Sequence, residues 1–153
     1  MNQPPAVSSS FPESAGFLAL LETSGNQQYV FSSNRLRDNL GASHLLKQVC
    51  GAWLDQAVRS ETAVDVLYRT SGRALLFCSS RSPLEAVIAS VTMEALVRAP
   101  GLIVTGAVTG WDSSAAVPGF TALGAVLRTL GLEIDRVAGE FPLSAGRFQR
   151  LPP

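Results

Sequence analysis

The chain has 153 residues, 46% of them hydrophobic and 16% charged, with twelve acidic side chains balancing twelve basic ones. That composition describes one apolar globular domain rather than a wholly disordered chain, and a chain of this length buries roughly two thirds of its unfolded surface and needs no disulfide or metal staple. A near-zero net charge also argues against bulk nucleic-acid binding, which normally demands a marked basic excess.

Residues 1–15, MNQPPAVSSSFPESA, are rich in Pro, Ser and Asn. They are expected to be disordered, and they lack the basic and apolar segments of a secretory signal. No run approaches the ~20 apolar residues of a membrane span, so no membrane contact is expected and a cytoplasmic location is the default. The two cysteines, Cys50 and Cys78, lie in apolar stretches without ligand spacing and read as buried thiols of a reducing compartment.

The domain is expected over residues 16–137. FLALLE reads as a buried strand ending at Glu22. After polar TSGNQQ and the triplet Tyr29-Val30-Phe31, the capping residues Ser32, Ser33 and Asn34 introduce a long helix. Its apolar positions are Ala42, Leu45, Leu46, Val49 and Trp53, and Gly41 delays its regular part to about Ser43. Thr62 to Tyr68 and Ala74 to Ser79 form a β-hairpin around the Ser71-Gly72 turn. Ser82-Pro83-Leu84-Glu85 supplies an N-cap, a first-turn proline and a capping-box glutamate for a second helix, whose stripe is Leu84, Val87, Ile88, Val91 and Ala95. Pro100-Gly101 ends it. LIVTGAV is a fourth strand, WDSSAAVPG a loop, FTALGAVLRTLGL a third helix, and Leu132 to Val137 a last edge strand. Residues 138–153 read as a tail or linker. The order βαββαβ predicts an α+β, ferredoxin-like domain with two helices on one face of an antiparallel sheet.

Trp53, Trp111, Tyr29 and Phe31 are expected to pack in the core or at its edge. His44, the only histidine, has no nucleophile motif near it and reads as a helix-surface or interface residue.

The run ETSGNQQYVFSSNRLRDNLGASHLL, with Glu22, Gly25, Gln27 or Gln28, the aromatic-aliphatic-aromatic triplet, Ser-Ser-Asn-Arg-Leu and Gly41-Ala42-Ser43, resembles the palm domain of the large subunit of type III CRISPR effector complexes and of the minimal CRISPR polymerases, relatives of the GGDEF cyclases. The hairpin and APGL extend the resemblance over residues 17–110. It implies a palm fold, binding of ATP or another nucleotide with Mg²⁺, and synthesis of cyclic or linear oligoadenylate messengers in prokaryotic antiviral defence. Two-metal chemistry of that kind needs carboxylates at the first strand's end and at the hairpin tip.

This chain departs from the pattern where active members carry Gly-Gly-Asp-Asp, because it has Ser71, Gly72, Arg73 and Ala74. Glu22 is the one acid left as a metal ligand. The resemblance therefore implies a catalytically degenerate module for nucleotide binding or assembly. The nucleotide-binding candidates are Glu22, Ser32, Ser33, Asn34, Arg35, Ser71, Gly72 and Arg73, with Arg37 adding local positive charge. Arg73 has two readings: a guanidinium that replaces the metal's charge and grips phosphate, or the partner of Glu22 in an ion pair. Ser32 to Asn34 likewise either cradle a triphosphate or simply cap the helix. The alternatives are an active cyclase or oligonucleotide synthase using a rearranged acidic set that recruits Asp65 and Asp112, and a purely structural dimerisation module. Partners follow from these readings: a nucleotide or cyclic oligonucleotide, a second copy, or another protein of the defence system.

Overall fold

The computed structural model describes Pro12, residues 14–112 and residues 127–136. The N-terminal segment apart from Pro12, Ser14 and Ala15, nearly all of the WDSSAAVPG loop, the start of the third helix and the C-terminal tail lie outside the described residues.

Strand β1 (Gly16–Ser24) leads to a short helix α1 (Asn26–Val30), then α2 (Leu36–Gln48) and α3 (Leu54–Ser60), the last two joined by a wide helical turn at Val49–Trp53. The hairpin strands β2 (Asp65–Arg69) and β3 (Arg73–Cys78), helix α4 (Arg81–Arg98) and strand β4 (Ile103–Trp111) follow. A final helical segment, α5, covers residues 127–136. The sheet order is β2-β3-β1-β4, antiparallel throughout, which is the ferredoxin-like arrangement.

Strand β1 is central and apolar on both faces. Ala19 and Leu21 join the core that α2, α3 and α4 build with Ala74, Leu76 and Cys78, where Trp53 and the stripe Leu84, Val87, Val91 and Ala95 are buried. Leu18 and Leu20 point the other way and meet Leu67, Leu75, Phe77, Ala107 and Trp111, together with Leu130 and Ile134 from α5. The sheet thus carries the expected helical layer on one face and one further helix on the other. A strand covered on both sides reads as an unbroken apolar run, which is what LALL displays.

Several local expectations are corrected. Helix α2 starts at Leu36 and passes straight through Gly41, where an added Cβ would meet nothing; the interruption falls at Gly51, whose backbone leaves the helical region. Ser82-Pro83 do not cap α4. Ser80 is the N-cap, Pro83 lies in the first turn where its missing N–H goes unneeded, and Glu85 pairs with Arg81 at 2.6 Å across one turn. Residues 132–136 are helical, not a strand. The Glu133–Arg136 ion pair at i,i+3 is the helical periodicity that the strand reading overlooked. Residues 62–64 precede β2 as a turn. Phe31 is exposed on the surface, whereas Tyr29 packs partly against the core. His44 lies on the exposed surface of α2 within 3.1 Å of Gln48. Burial pushes the Cys50 thiol up to about 12, against the opposing charge of Arg69, so it is an inert packing group at neutral pH. Among the described residues no helix is long and apolar enough to cross a membrane.

If α5 is an integral layer of the second face, Leu130→Ala removes a fully buried side chain and lowers the unfolding free energy by about 2–4 kcal/mol in urea titration. A loss below about 0.5 kcal/mol contradicts that packing.

Candidate functional site

The antiparallel register places Glu22, near the end of β1, directly opposite Arg73, the first residue of β3. Side chains alternate along both strands, so the two share the face of Leu20 and Leu75, opposite α2 to α4. Arg73 Nη2 donates to Glu22 Oε1 at 2.7 Å, with the arginine side chain 55% exposed and the glutamate 26%. Of the two sequence readings of Arg73, the ion pair is the arrangement present. On the far side of Glu22, its register partner on β4 is Thr105, a buried polar residue.

The hairpin tip is tied to β1 by its backbone. The Gly72 carbonyl accepts hydrogen bonds from the Thr23 N–H (2.8 Å) and the Thr23 hydroxyl (3.2 Å), and the Arg73 carbonyl accepts from the Thr70 N–H at 2.7 Å. A Cβ at residue 72 would lie 2.7 Å from Thr23 Oγ1, so glycine is what lets the turn approach this closely. Immediately after β1 the chain reverses at Gly25, whose φ of 66° is the left-handed region glycine occupies without strain, and α1 begins. The amide of Asn26 lies near Gly72, and its Oδ1 is the one buried side-chain oxygen or nitrogen without a partner among the described residues. Thr23, Asn26 and Thr105 escape sequence reasoning because each owes its position to a turn or cross-strand neighbour rather than to a motif.

Ser32, Ser33, Asn34 and Arg35 form a separate surface. With Asp38 they line a cavity of about 320 Å³ that neither Glu22 nor Arg73 enters. Arg35, not Ser or Asn, is the N-cap of α2, and no side chain caps that helix. The Ser33 hydroxyl donates to Asp38 Oδ2 at 2.7 Å and accepts from the Arg35 N–H at 3.2 Å. The carboxylate of Asp38 puts negative charge where a phosphate would sit. The candidates therefore divide: Glu22, Gly72 and Arg73 come together at the tip, with Ser71 exposed beside them, while the Ser32–Arg35 group stands apart.

The acids proposed for a rearranged metal site lie elsewhere. Asp65 pairs with Phe77, whose own partner is Leu18, four residues or about 13 Å along β1 from Glu22. Asp112 follows Trp111, which pairs with Gly16 about 20 Å from Glu22. No group of three or more His, Cys, Asp or Glu residues that could hold a metal exists among the described residues. A pair of Mg²⁺ ions wants several hard oxygen ligands, and the residues at the tip offer one carboxylate already matched to a guanidinium. They do not fit that cofactor.

No family model matches the chain, and no curated protein matches it. Solved structures do. The crystal structure of a Csm1–Csm4 cassette in complex with one ATP and that of the Csm1–Csm4 subcomplex of the type III-A CRISPR–Csm interference complex each contain a chain similar to this one with a TM-score of 0.62 and 10% identity, over 84% of this chain. This chain spans about a fifth of theirs, 20%. At that identity the likeness establishes a shared palm-like fold.

A second ion pair serves as a reference for the first. On the helical side of the hairpin Arg69 Nη1 donates to Asp55 Oδ1 of α3 at 2.5 Å, with side chains only 21% and 14% exposed. Arg69→Ala leaves a shielded carboxylate without its partner and is expected to cost about 1–3 kcal/mol, whereas Arg73→Ala removes a solvent-screened pair and costs under ~1 kcal/mol. Equilibrium urea unfolding of both variants checks the order. Equal losses would mean that the tip pair contributes to the fold as strongly as the shielded one.

Proposed function

We propose that this chain is a non-catalytic palm module of a prokaryotic antiviral assembly related to type III CRISPR effectors, contributing its fold to a multi-protein complex rather than making a nucleotide messenger. The observation that carries this reading is the Glu22–Arg73 ion pair at the strand-end and hairpin-tip positions where the sequence resemblance puts metal-holding carboxylates. Phosphoryl transfer by two metals requires negative charge there to gather the ions and to activate the attacking hydroxyl. Arg73 supplies positive charge instead, and Glu22 neutralises it. The solved neighbours belong to two-subunit cassettes, which supports a protein partner.

A second reading, nucleotide binding without turnover, draws on two further features of the tip. Arg73 donates to Glu22 through Nη2 and keeps much of its surface open to solvent. The Ser71 side chain lies exposed beside it. One of the neighbours is a complex with one ATP.

Incubation of the protein with labelled ATP and Mg²⁺ or Mn²⁺ is expected to yield no oligonucleotide product, and any cyclic or linear oligoadenylate refutes the non-catalytic reading. A thermal-shift titration with ATP separates the two roles. Stabilisation of the wild type that is lost in Arg73→Ala identifies a nucleotide site at the tip, and the absence of any shift leaves assembly as the function.

A further inference from the structure

The two faces of the sheet are covered unequally. On one, helices α2, α3 and α4 with the turn at Val49–Trp53 supply more than half of the buried side chains. Helix α4 is fixed there: a Cβ at residue 106 would lie only 2.5 Å from Ile88, so glycine is what lets the helix sit this close to β4. On the other face the strands supply seven buried residues and α5 only two, Leu130 and Ile134, while Leu127 and Leu132 of the same helix are exposed. A helix of ten residues does not hold itself in water, so α5 is helical because it is docked, and leaving the sheet means unfolding. The two covers meet at the β4 edge, where a notch of about 350 Å³ is lined by Arg81 and Glu85 of α4 together with Glu133 and Arg136 of α5. Each helix has its own ion pair, Arg81–Glu85 at 2.6 Å and Arg136–Glu133 at 2.5 Å. The Glu133 carboxyl is held below its usual range by the Arg136 hydrogen bond and, against the opposing effect of desolvation, by the charges of Arg136 and of Arg81 across the notch.

We propose that α5 is a charge-latched strap: Arg81 on the fixed helix α4 attracts Glu133 on α5 across the β4 edge, and loss of that attraction lets α5 leave the sheet as a unit while the α2 to α4 side stays folded. Three observations carry this. Opening the strap gives up two buried side chains and leaves the larger core intact, which is the condition for a local opening well below the cost of global unfolding. The latch also acts where the strap is anchored. Glu133 lies in the same helical turn as Leu130 and Ile134, whereas Arg81 opens an 18-residue helix whose buried stripe belongs to the other core. Finally, both latch residues are open to water, with Arg81 55% and Glu133 43% exposed, so dissolved ions reach them. The Arg69–Asp55 pair on the helical side is far better shielded, which confines the sensitivity to the α5 layer. What the strap controls is access to the apolar face of β1 and β3 that runs toward Glu22 and Arg73. The inference concerns the α5 layer and holds whether or not the tip binds a nucleotide.

Hydrogen exchange followed amide by amide in NMR spectra of the full chain tests it. The amides of residues 127–136 are expected to exchange together, through an opening that leaves those of β3 and α4 protected. Arg81→Gln lies outside α5 and removes an exposed side chain. It is expected to raise that opening equilibrium about two- to fivefold, the range an exposed charge pair commands, while the slowest core amides keep their wild-type rates. Salt at ~1 M, which screens charges more than about 3 Å apart, is expected to raise the opening of the wild type and to have a smaller effect on Arg81→Gln, because the latch is then already gone. Exchange of residues 127–136 only in step with the β3 amides, an absence of any protection in α5, an opening that Arg81→Gln leaves unchanged, or an equal salt response in the two proteins overturns the proposal.

Discussion

The register between β1 and β3 decides what this protein can do at its hairpin tip. Six consecutive partners, from Phe17–Cys78 to Glu22–Arg73, fix which residues face one another, and a slip of one position would turn every apolar side chain of both strands to the wrong face. Because Ala19 and Leu21 fill one core and Leu18 and Leu20 the other, that register is held from both sides of the sheet. The ion pair at the end is thus a consequence of core packing several residues away. Its own contribution to stability is small, but its position is rigidly imposed.

Covering both faces of the sheet also confines the open surface. Helices α2 to α4 occupy one side, and α5 covers the Leu18, Leu20, Leu75 and Trp111 side toward the start of β1. The clamp of Thr23 on the Gly72 carbonyl then holds the tip against β1 and allows little independent hairpin motion. Any ligand at this end meets a preformed surface of Glu22, Arg73 and their neighbours.

How far the sequence discloses this arrangement depends on the range of the interaction involved. The two core helices and the hairpin follow from period-3.6 stripes and from β-rich runs around one plausible turn, which are local signals, while the strand order and the juxtaposition of Glu22 with Arg73 follow from the ferredoxin-like topology that the element order implies. The errors share a cause. Gly41 looked like the weak point of the first helix, yet that position faces solvent and tolerates glycine, while the true kink at Gly51 lies among residues whose helical periodicity hides it. Ser82 and Glu85 fit a capping box by spacing, but the helix begins one residue beyond Ser80, and geometry set by the end of β3 outweighs the motif. The segment from Leu132 looked like a strand because Leu, Ile and Val suit either structure; packing of Leu130 and Ile134 on the second face selects the helix. Of the site, Thr23 and Asn26 were illegible for the same reason, since only the left-handed turn at Gly25 and the close approach of Gly72 bring them to the tip.

Arg73 opposite Glu22 sets the field that a divalent ion would meet at the tip. Removing one carboxylate from a two-metal site leaves a weakened site; substituting arginine for a carboxylate reverses the local field, and a divalent ion must then approach a fixed monocation. At the few ångströms that separate neighbouring ligands, that repulsion is worth on the order of several kcal/mol at the effective dielectric of a protein surface. Glu22 cancels the field without inverting it. What remains among the described residues is a sheet covered on both faces and a hairpin tip whose two opposite charges satisfy each other.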